Sequence, residues 1–294
     1  MHSDLSINKK MIHIIPLIPV YIIIFTVTYS FTKFYALSGE FNIVKIITIP
    51  FFYICFGLTL FTHTKSMIVS PGKVESNREY EIESNKDEST SSKTDDQFCK
   101  KCNHSRPKRA HHCKVCNRCI LKMDHHCPWV ANCIGFYNQK YFYLFLLYAT
   151  LGDFIACVCL APQLFDIDSR FNSNNEMTIG EILDPIIIVI SVLMAFAMTL
   201  SIGFLFSAQT YLIMNNLTTI ENHVYKNKKD NPYYTEDIWF NMSIVLGMNS
   251  KLEWFLPNFT SNPYNNGVSF DKPPSKYESS SLQFQNLEST NNIS

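Results

Sequence analysis

The chain has 294 residues, 47% of them hydrophobic and only 17% charged, with 25 basic and 25 acidic side chains that cancel. Such a composition speaks against a simple soluble domain, and the absence of a strongly basic face speaks against a nucleic-acid-binding finger. The average conceals two kinds of segment, one apolar and one polar.

After a polar start, Met1–Lys10, the stretch Met11–Thr32 runs for 22 residues without Asp, Glu, Lys or Arg. As a helix it can cross a hydrocarbon layer of about 30 Å. It is too long for a signal peptide and lacks a small-x-small site near its end, so an uncleaved first span is expected. A connector, Lys33–Lys45, leads to a second uncharged run, Ile46–Thr64, with Pro50 in or near its first turn, where proline is tolerated. Together the two runs read as a helical hairpin within residues 1–72, closed by the turn Ser70-Pro71-Gly72.

Residues 73–97 are almost free of apolar side chains and are expected to form a disordered linker. A cysteine-rich module follows over 98–140, then two further spans within 141–220, at about 141–165 and 185–214. The third span carries one acid, Asp153, which at membrane depth should face a cavity or another helix. The fourth begins an uncharged run of 36 residues from Pro185 to Ile220, longer than the roughly 20 that cross a bilayer, so its helix should project beyond it. A segment over 221–257 should lie on the membrane face, and the Asn-, Ser- and Pro-rich tail, 258–294, is expected to be disordered. Lys65–Lys140 holds 14 basic residues and the connector Gln163–Asp184 holds one, which places the module and both termini in the cytosol. The expected fold is thus an all-α polytopic membrane protein of four transmembrane helices, with a cytosolic module between spans 2 and 3.

The chemistry concentrates in Cys99–Phe142, which holds seven of the ten cysteines and five of the nine histidines. Cys99/Cys102, Cys113/Cys116 and Cys116/Cys119 have the Cys-x-x-Cys spacing that brings two thiolates to one tetrahedral zinc. A disulfide framework does not suit a cytosolic segment, where thiols stay reduced. Two zinc ions need eight ligands; six cysteines and two histidines supply them, and one of the seven cysteines is left over. Cys127 alone has an acid, Asp124, and two imidazoles, His125 and His126, within three residues. A base beside a thiol, oriented by a carboxylate, is what a thiolate nucleophile requires.

Asp124-His125-His126-Cys127 within this frame, followed by Cys133, Asn138 and Phe142, resembles the DHHC protein S-acyltransferases, or palmitoyltransferases. The resemblance implies a first zinc site of Cys99, Cys102, His112 and Cys119 and a second of Cys113, Cys116, His126 and Cys133. It makes Cys127 the nucleophile, His125 its base and Asp124 the orienting acid. The implied reaction moves a long-chain acyl group from acyl-coenzyme A to cysteines of substrate proteins, here expected to lie near the membrane on the cytosolic side. Both zinc ions are structural in this scheme. Arg106, Lys108, Arg109 and His111 are then candidates for the phosphates of coenzyme A or for anionic lipid headgroups. Counting along the third span puts Trp129 near the thiol and Phe145, Tyr148 and Gly152 progressively deeper, and the resemblance makes Gly152 the far end of the acyl cavity.

Further matches are Thr218-Thr219-Ile220-Glu221, at the family's Thr-Thr-x-Glu position, and Asn241 with Val245-Leu246-Gly247, near its C-terminal motif. Ser70 stands where the family usually has aspartate. The competing reading is a membrane-tethered zinc module that binds partners without catalysis; it has no use for Asp124, His125 or Cys127. Either way the protein belongs in an endomembrane, such as the endoplasmic reticulum or Golgi, or in the plasma membrane, and no nucleic-acid partner is expected.

Overall fold

The computed structural model describes residues 15–75, 98–165, 179–248, 250–258, 267–268 and 270. Among these, four helical segments are long and apolar enough to cross a membrane: Leu17–Ala36, Ile43–Ile68, Gln139–Leu164 and Ile182–Met214. The start of the first expected span, 11–14, most of the linker, 76–97, and most of the tail lie outside the described residues.

Helix α1, Leu17–Ser30, continues as a π-helical turn over Phe31–Ala36. Helix α2, Ile43–Ile68, begins at Asn42, whose side chain accepts from the Lys45 amide at 3.1 Å. It starts three residues before the uncharged run and takes in Lys45, whose ammonium folds back onto the Ser38 carbonyl. Pro50 therefore lies inside the helix and not in its first turn. Helix α3 is Gln139–Leu160, extended by a 3-10 turn at Ala161–Leu164.

Helix α4, Ile179–Met214, has 36 residues and so a length of about 54 Å, well beyond a hydrocarbon layer of about 30 Å. It stops short of Ile220 because Asn216 turns left-handed, at φ 48°. Thr218 then caps α5, Thr219–Val224, in a reciprocal box with Glu221. Helix α6, Ile238–Leu246, is followed by a 3-10 turn at Lys251–Phe255.

Helix α3 is the centre of the bundle. Half (50%) of its most apolar stretch is buried, against 28%, 22% and 22% for the other three spans. The remaining faces of α1, α2 and α4 are rich in exposed Ile, Leu, Val and Phe, which is the pattern of helices whose outer surface meets lipid. Deep in the bundle Phe31 stacks on Phe52 with ring centroids 3.8 Å apart, and the hydroxyls of Ser30 and Ser191 bond at 2.6 Å, joining α1 to α4.

The module between α2 and α3 is three two-stranded antiparallel hairpins: β1 (Phe98–Cys99) with β2 (His104–Ser105), β3 (His111–Cys113) with β4 (Arg118–Ile120), and β5 (His125–Cys127) with β6 (Asn132–Ile134). Their turns use left-handed Asn103, Asn117 and Ala131, at φ 54°, 50° and 49°. The Ser70-Pro71-Gly72 turn carries the chain from α2 onto the module, where the Gly72 carbonyl accepts from the Leu121 amide at 2.8 Å. Ser70 Oγ accepts from the Gly72 amide at 3.3 Å, so the serine closes this turn as a short acid would. Gly135 is required there: a Cβ would come within 2.7 Å of both the Pro71 carbonyl oxygen and Ile120 Cγ2.

Two segments expected to be disordered have described residues that pack. Val74 is 1% exposed, and its amide donates to the Cys119 carbonyl at 3.0 Å, extending the module beyond residue 98 in the reverse direction. At the other end Gly267 packs on Phe136 and Leu121, and Phe270 lies on Tyr233. Apolar contacts with residues far away in sequence hold both, which local composition does not reveal.

Candidate active site and metal centres

Strand periodicity builds the site. Successive side chains on a strand point to opposite faces, so β5 turns His126 to one side and His125 with Cys127 to the other. His126 sits opposite Cys133 across the β5–β6 ladder, and His112 opposite Cys119 across β3–β4. Cys99, Cys102, His112 and Cys119 thus converge as one cluster, and Cys113, Cys116, His126 and Cys133 as another, with the donor atoms of each within 4.8 Å of one another.

The donor sets fit zinc. Sulfurs about 2.3 Å from a tetrahedral ion sit roughly 3.7 Å apart, and the observed separations are 3.7 Å for Cys102–Cys119 and 3.4 Å for Cys116–Cys133. In each cluster the histidine turns Nδ1 toward its sulfurs, at 3.2 Å from Cys102 and 3.4 Å from Cys116. The ten cysteines are all reduced.

Cys127 belongs to neither cluster. With His125 it lines a cavity of about 540 Å³ that reaches from the module into the helix bundle. His125 Nδ1 lies 2.6 Å from Asp124 Oδ2, so the Nδ1 proton is held by the carboxylate and Nε2 is the nitrogen left for a reacting proton. Burial alone pulls the imidazole down, but the bond to Asp124 and the neighbouring thiol of Cys127 outweigh it and raise His125 to about 9, which makes Nε2 a stronger proton acceptor than an ordinary imidazole.

Asp124 is completely buried and accepts three further bonds: from the Thr219 amide at 2.7 Å, the Thr219 hydroxyl at 2.9 Å and Gln209 Nε2 at 3.1 Å. Burial raises its pKa, yet these donors, led by His125, bring it below the ordinary carboxylate value. The Thr-Thr-x-Glu segment is therefore in contact with the site.

Its glutamate has a separate task. Glu221 takes Arg109 in a bidentate pair, with Nε at 2.6 Å and Nη2 at 2.7 Å, while Asn216 accepts two more bonds from the same guanidinium. Tyr233 and Phe270 cover it, with ring centroids 4.5 and 4.9 Å from the guanidinium carbon. Arg109 is 6% exposed, so it is not presented to the phosphates of coenzyme A as expected. The other expected cations differ: Lys108 is exposed, and Arg106 and His111 are half-buried.

Of the expected cavity residues, Trp129, Phe145 and Gly152 line the space, and Tyr148 does not. Three residues beyond Phe145 fall roughly 60° short of a full helical turn, whereas Ala149 and Gly152 return to its face. Tyr148 instead packs with Leu246 and Ile213, and its hydroxyl donates to the Phe255 carbonyl.

Sequence reasoning missed three participants. Gln209 is a lone amide in an apolar run, which was its only signal. His63 is wholly buried in α2 and donates from Nε2 to the Trp129 carbonyl at 3.0 Å, fixing the turn that follows Cys127. Asn132 caps α2 from the module side, its amide donating to the carbonyls of Ser66, Met67 and Val69 at 3.0 to 3.1 Å.

A buried acid, an imidazole and a thiol stand together at the mouth of an apolar cavity, among four helices long and apolar enough to cross a membrane. Residues 92–226 match the family model described as DHHC palmitoyltransferase. The chain is 31% identical over 222 residues to "Probable protein S-acyltransferase 15" of Arabidopsis thaliana, covering 72% of this chain and 84% of that one. It is 42% identical over 177 residues to "Putative ZDHHC-type palmitoyltransferase 4" of Dictyostelium discoideum, covering 59% and 46%. With "Palmitoyltransferase ZDHHC20-A" of Danio rerio the identity is 34% over 167 residues, covering 56% and 44%, so two of these three relatives are matched over less than half their length. The chain belongs to the DHHC palmitoyltransferase family and is a protein S-acyltransferase.

Proposed function

We propose that the chain moves a long-chain acyl group from acyl-coenzyme A to cysteine thiols of membrane-associated proteins, by way of a thioester on Cys127. The observation that carries this reading is that Cys127 and His125 open onto an apolar cavity among the spans while His125 is braced by the buried Asp124.

In the first half-reaction His125 Nε2 takes the Cys127 proton, and the thiolate attacks the thioester carbonyl of the donor. The carbon–sulfur bond to coenzyme A breaks, and its thiolate leaves with the proton from Nε2. In the second, the substrate cysteine gives its proton to Nε2 and attacks the acyl–Cys127 thioester, which releases Cys127. One thioester replaces another, so no ATP or redox cofactor is consumed. Asp124 keeps the Nδ1 proton in place throughout.

The cavity explains the setting. Each buried methylene contributes about 0.8 kcal/mol, so sheltering some fifteen of them is worth roughly 12 kcal/mol. The two Cys/His sets would hold zinc with all four positions filled by protein, which suits ions that supply folding free energy and not a bound water. The cytosolic module, cytosolic termini and an endomembrane or plasma-membrane address follow from the basic-residue asymmetry of the sequence. Juxtamembrane cysteines are the accessible substrates in that arrangement, and by the family resemblance Arg106, Lys108 and His111 are the candidates to meet coenzyme A phosphates or anionic lipid. Incubation with palmitoyl-coenzyme A and mass spectrometry tests the reading: hydroxylamine-sensitive acyl label on Cys127 is expected, and label on other cysteines only would overturn it.

A further inference from the structure

We propose that the deep end of the cavity is a polar subsite, built on Asp153, that takes a hydroxyl carried at or next to the distal end of an acyl chain. This rests on the reading of the cavity as the acyl site.

The mouth of the cavity is marked by His125, whose ring lies 5.2 Å from that of Phe142. Asp153 is eleven residues further along α3, about 16 Å deeper at 1.5 Å per residue. It lines the cavity with Thr28, Phe52 and Gly152, and no other acid does. An extended long-chain acyl group whose carbonyl stands at Cys127 therefore brings its distal carbons to this carboxyl.

What the carboxyl meets there defines the ligand. Among the described residues no hydrogen bond reaches it, although it stands within a membrane span. The Thr28 hydroxyl, which lines the same cavity, spends its proton on the Ile24 carbonyl at 2.7 Å, so it can only accept. An ionised Asp153 is likewise acceptor-only, and a protonated one adds a single donor. A hydroxyl, donor and acceptor at once, satisfies either state. A terminal methyl satisfies neither and strips the carboxyl of water without replacement. Of two chains equally long and able to reach Asp153, the one with a distal hydroxyl is thus favoured over the plain one, a choice that cavity length alone does not impose. Polar groups left unpaired by the wrong ligand discriminate more strongly than a missing methylene does.

The test is competition among donors for Cys127 in the full chain in lipid nanodiscs, read as thioester ratios by mass spectrometry. The donors are palmitoyl-coenzyme A, its ω-hydroxy derivative and a derivative hydroxylated at mid-chain. Wild type should load the ω-hydroxy donor over the mid-chain one by about tenfold, the scale of one hydrogen bond to a charged group. Asp153→Leu should move the ratio of ω-hydroxy to plain donor about tenfold toward the plain chain, and Asp153→Asn, which keeps hydrogen bonding, by less. Equal loading of the two hydroxylated donors by wild type, or the same ratios in wild type and Asp153→Leu, would overturn the proposal. If the leucine variant loads nothing, the wild-type and asparagine comparison still decides. Failure of the underlying acyl-enzyme reading looks different, because then no donor gives hydroxylamine-sensitive thioester on Cys127.

Discussion

Arg109 and Glu221 meet in a bidentate ion pair, 112 residues apart in sequence, with side chains 1% and 7% exposed. The pair ties the zinc module to α5, two residues from the threonine that holds Asp124. Removing one member strands a buried charge, at a cost of about 3–5 kcal/mol. Arg109→Met should therefore lower thermal stability and acyl loading together while both zinc ions stay bound. Restoration of stability by adding Glu221→Leu would support the stranded-charge account; no change in melting in either variant would refute it.

Cys127→Ser should abolish acyl loading with two zinc ions retained per chain, because Cys127 lies outside both donor clusters. Cys116→Ser should lose one zinc and unfold part of the module, since such sites contribute folding free energy. Metal analysis beside a loading assay checks both, and zinc loss in Cys127→Ser would contradict the partition of ligands.

Adjacent histidines should separate cleanly. His125→Ala is expected to slow loading and transfer by about a hundredfold or more with metal intact, as for loss of a general base. His126→Ala should release zinc. Equal zinc loss in the two would mean that the alternation along β5 does not divide their roles.

Thr219 gives Asp124 two of its four hydrogen bonds. Thr219→Ala removes the hydroxyl and leaves the amide, so loading should fall about tenfold, the worth of one charge-assisted bond. Thr219→Ser should restore it. Single-turnover loading rates make the comparison, and an alanine variant as fast as wild type would show the hydroxyl to be idle.

A Cβ at Gly152 would meet Cys55 Cβ at 3.6 Å, an ordinary contact, and Gly152 itself lines the cavity, so a larger side chain there would take up room at that end. Gly152→Phe should shift loading toward shorter acyl donors. An unchanged length profile in a folded variant would mean that the glycine serves helix packing alone.

The Cys-x-x-Cys pairs made a zinc-binding frame legible in the sequence, but Cys116 and Cys119 share that spacing and fall in different clusters, so the partition of ligands rested on the family resemblance; the helix core was legible because charge is so costly in lipid. Helix ends were less so: Lys45 enters α2 with its ammonium bonded to the Ser38 carbonyl, and Lys33, in the π turn after α1, pairs with Asp184, partners that spacing does not show. Arg109 was misjudged for the same reason. In a basic stretch it looks like a surface cation, and only the folded chain brings Glu221 to it. Tyr148 was misplaced by treating three residues as a whole turn.

Strand β5 is three residues long and gives one side chain to the metal cluster and two to the cavity. A slip of one position in its pairing would exchange these faces and carry the thiol away from the acyl group. Chelation therefore acts as a remote inhibitor: stripping the ion from His126 frees the strand that aims its neighbours, and activity is lost with the thiol chemically untouched. Alkylating agents and chelators should inactivate the protein by routes that can be told apart, since only the second is reversed by returning zinc.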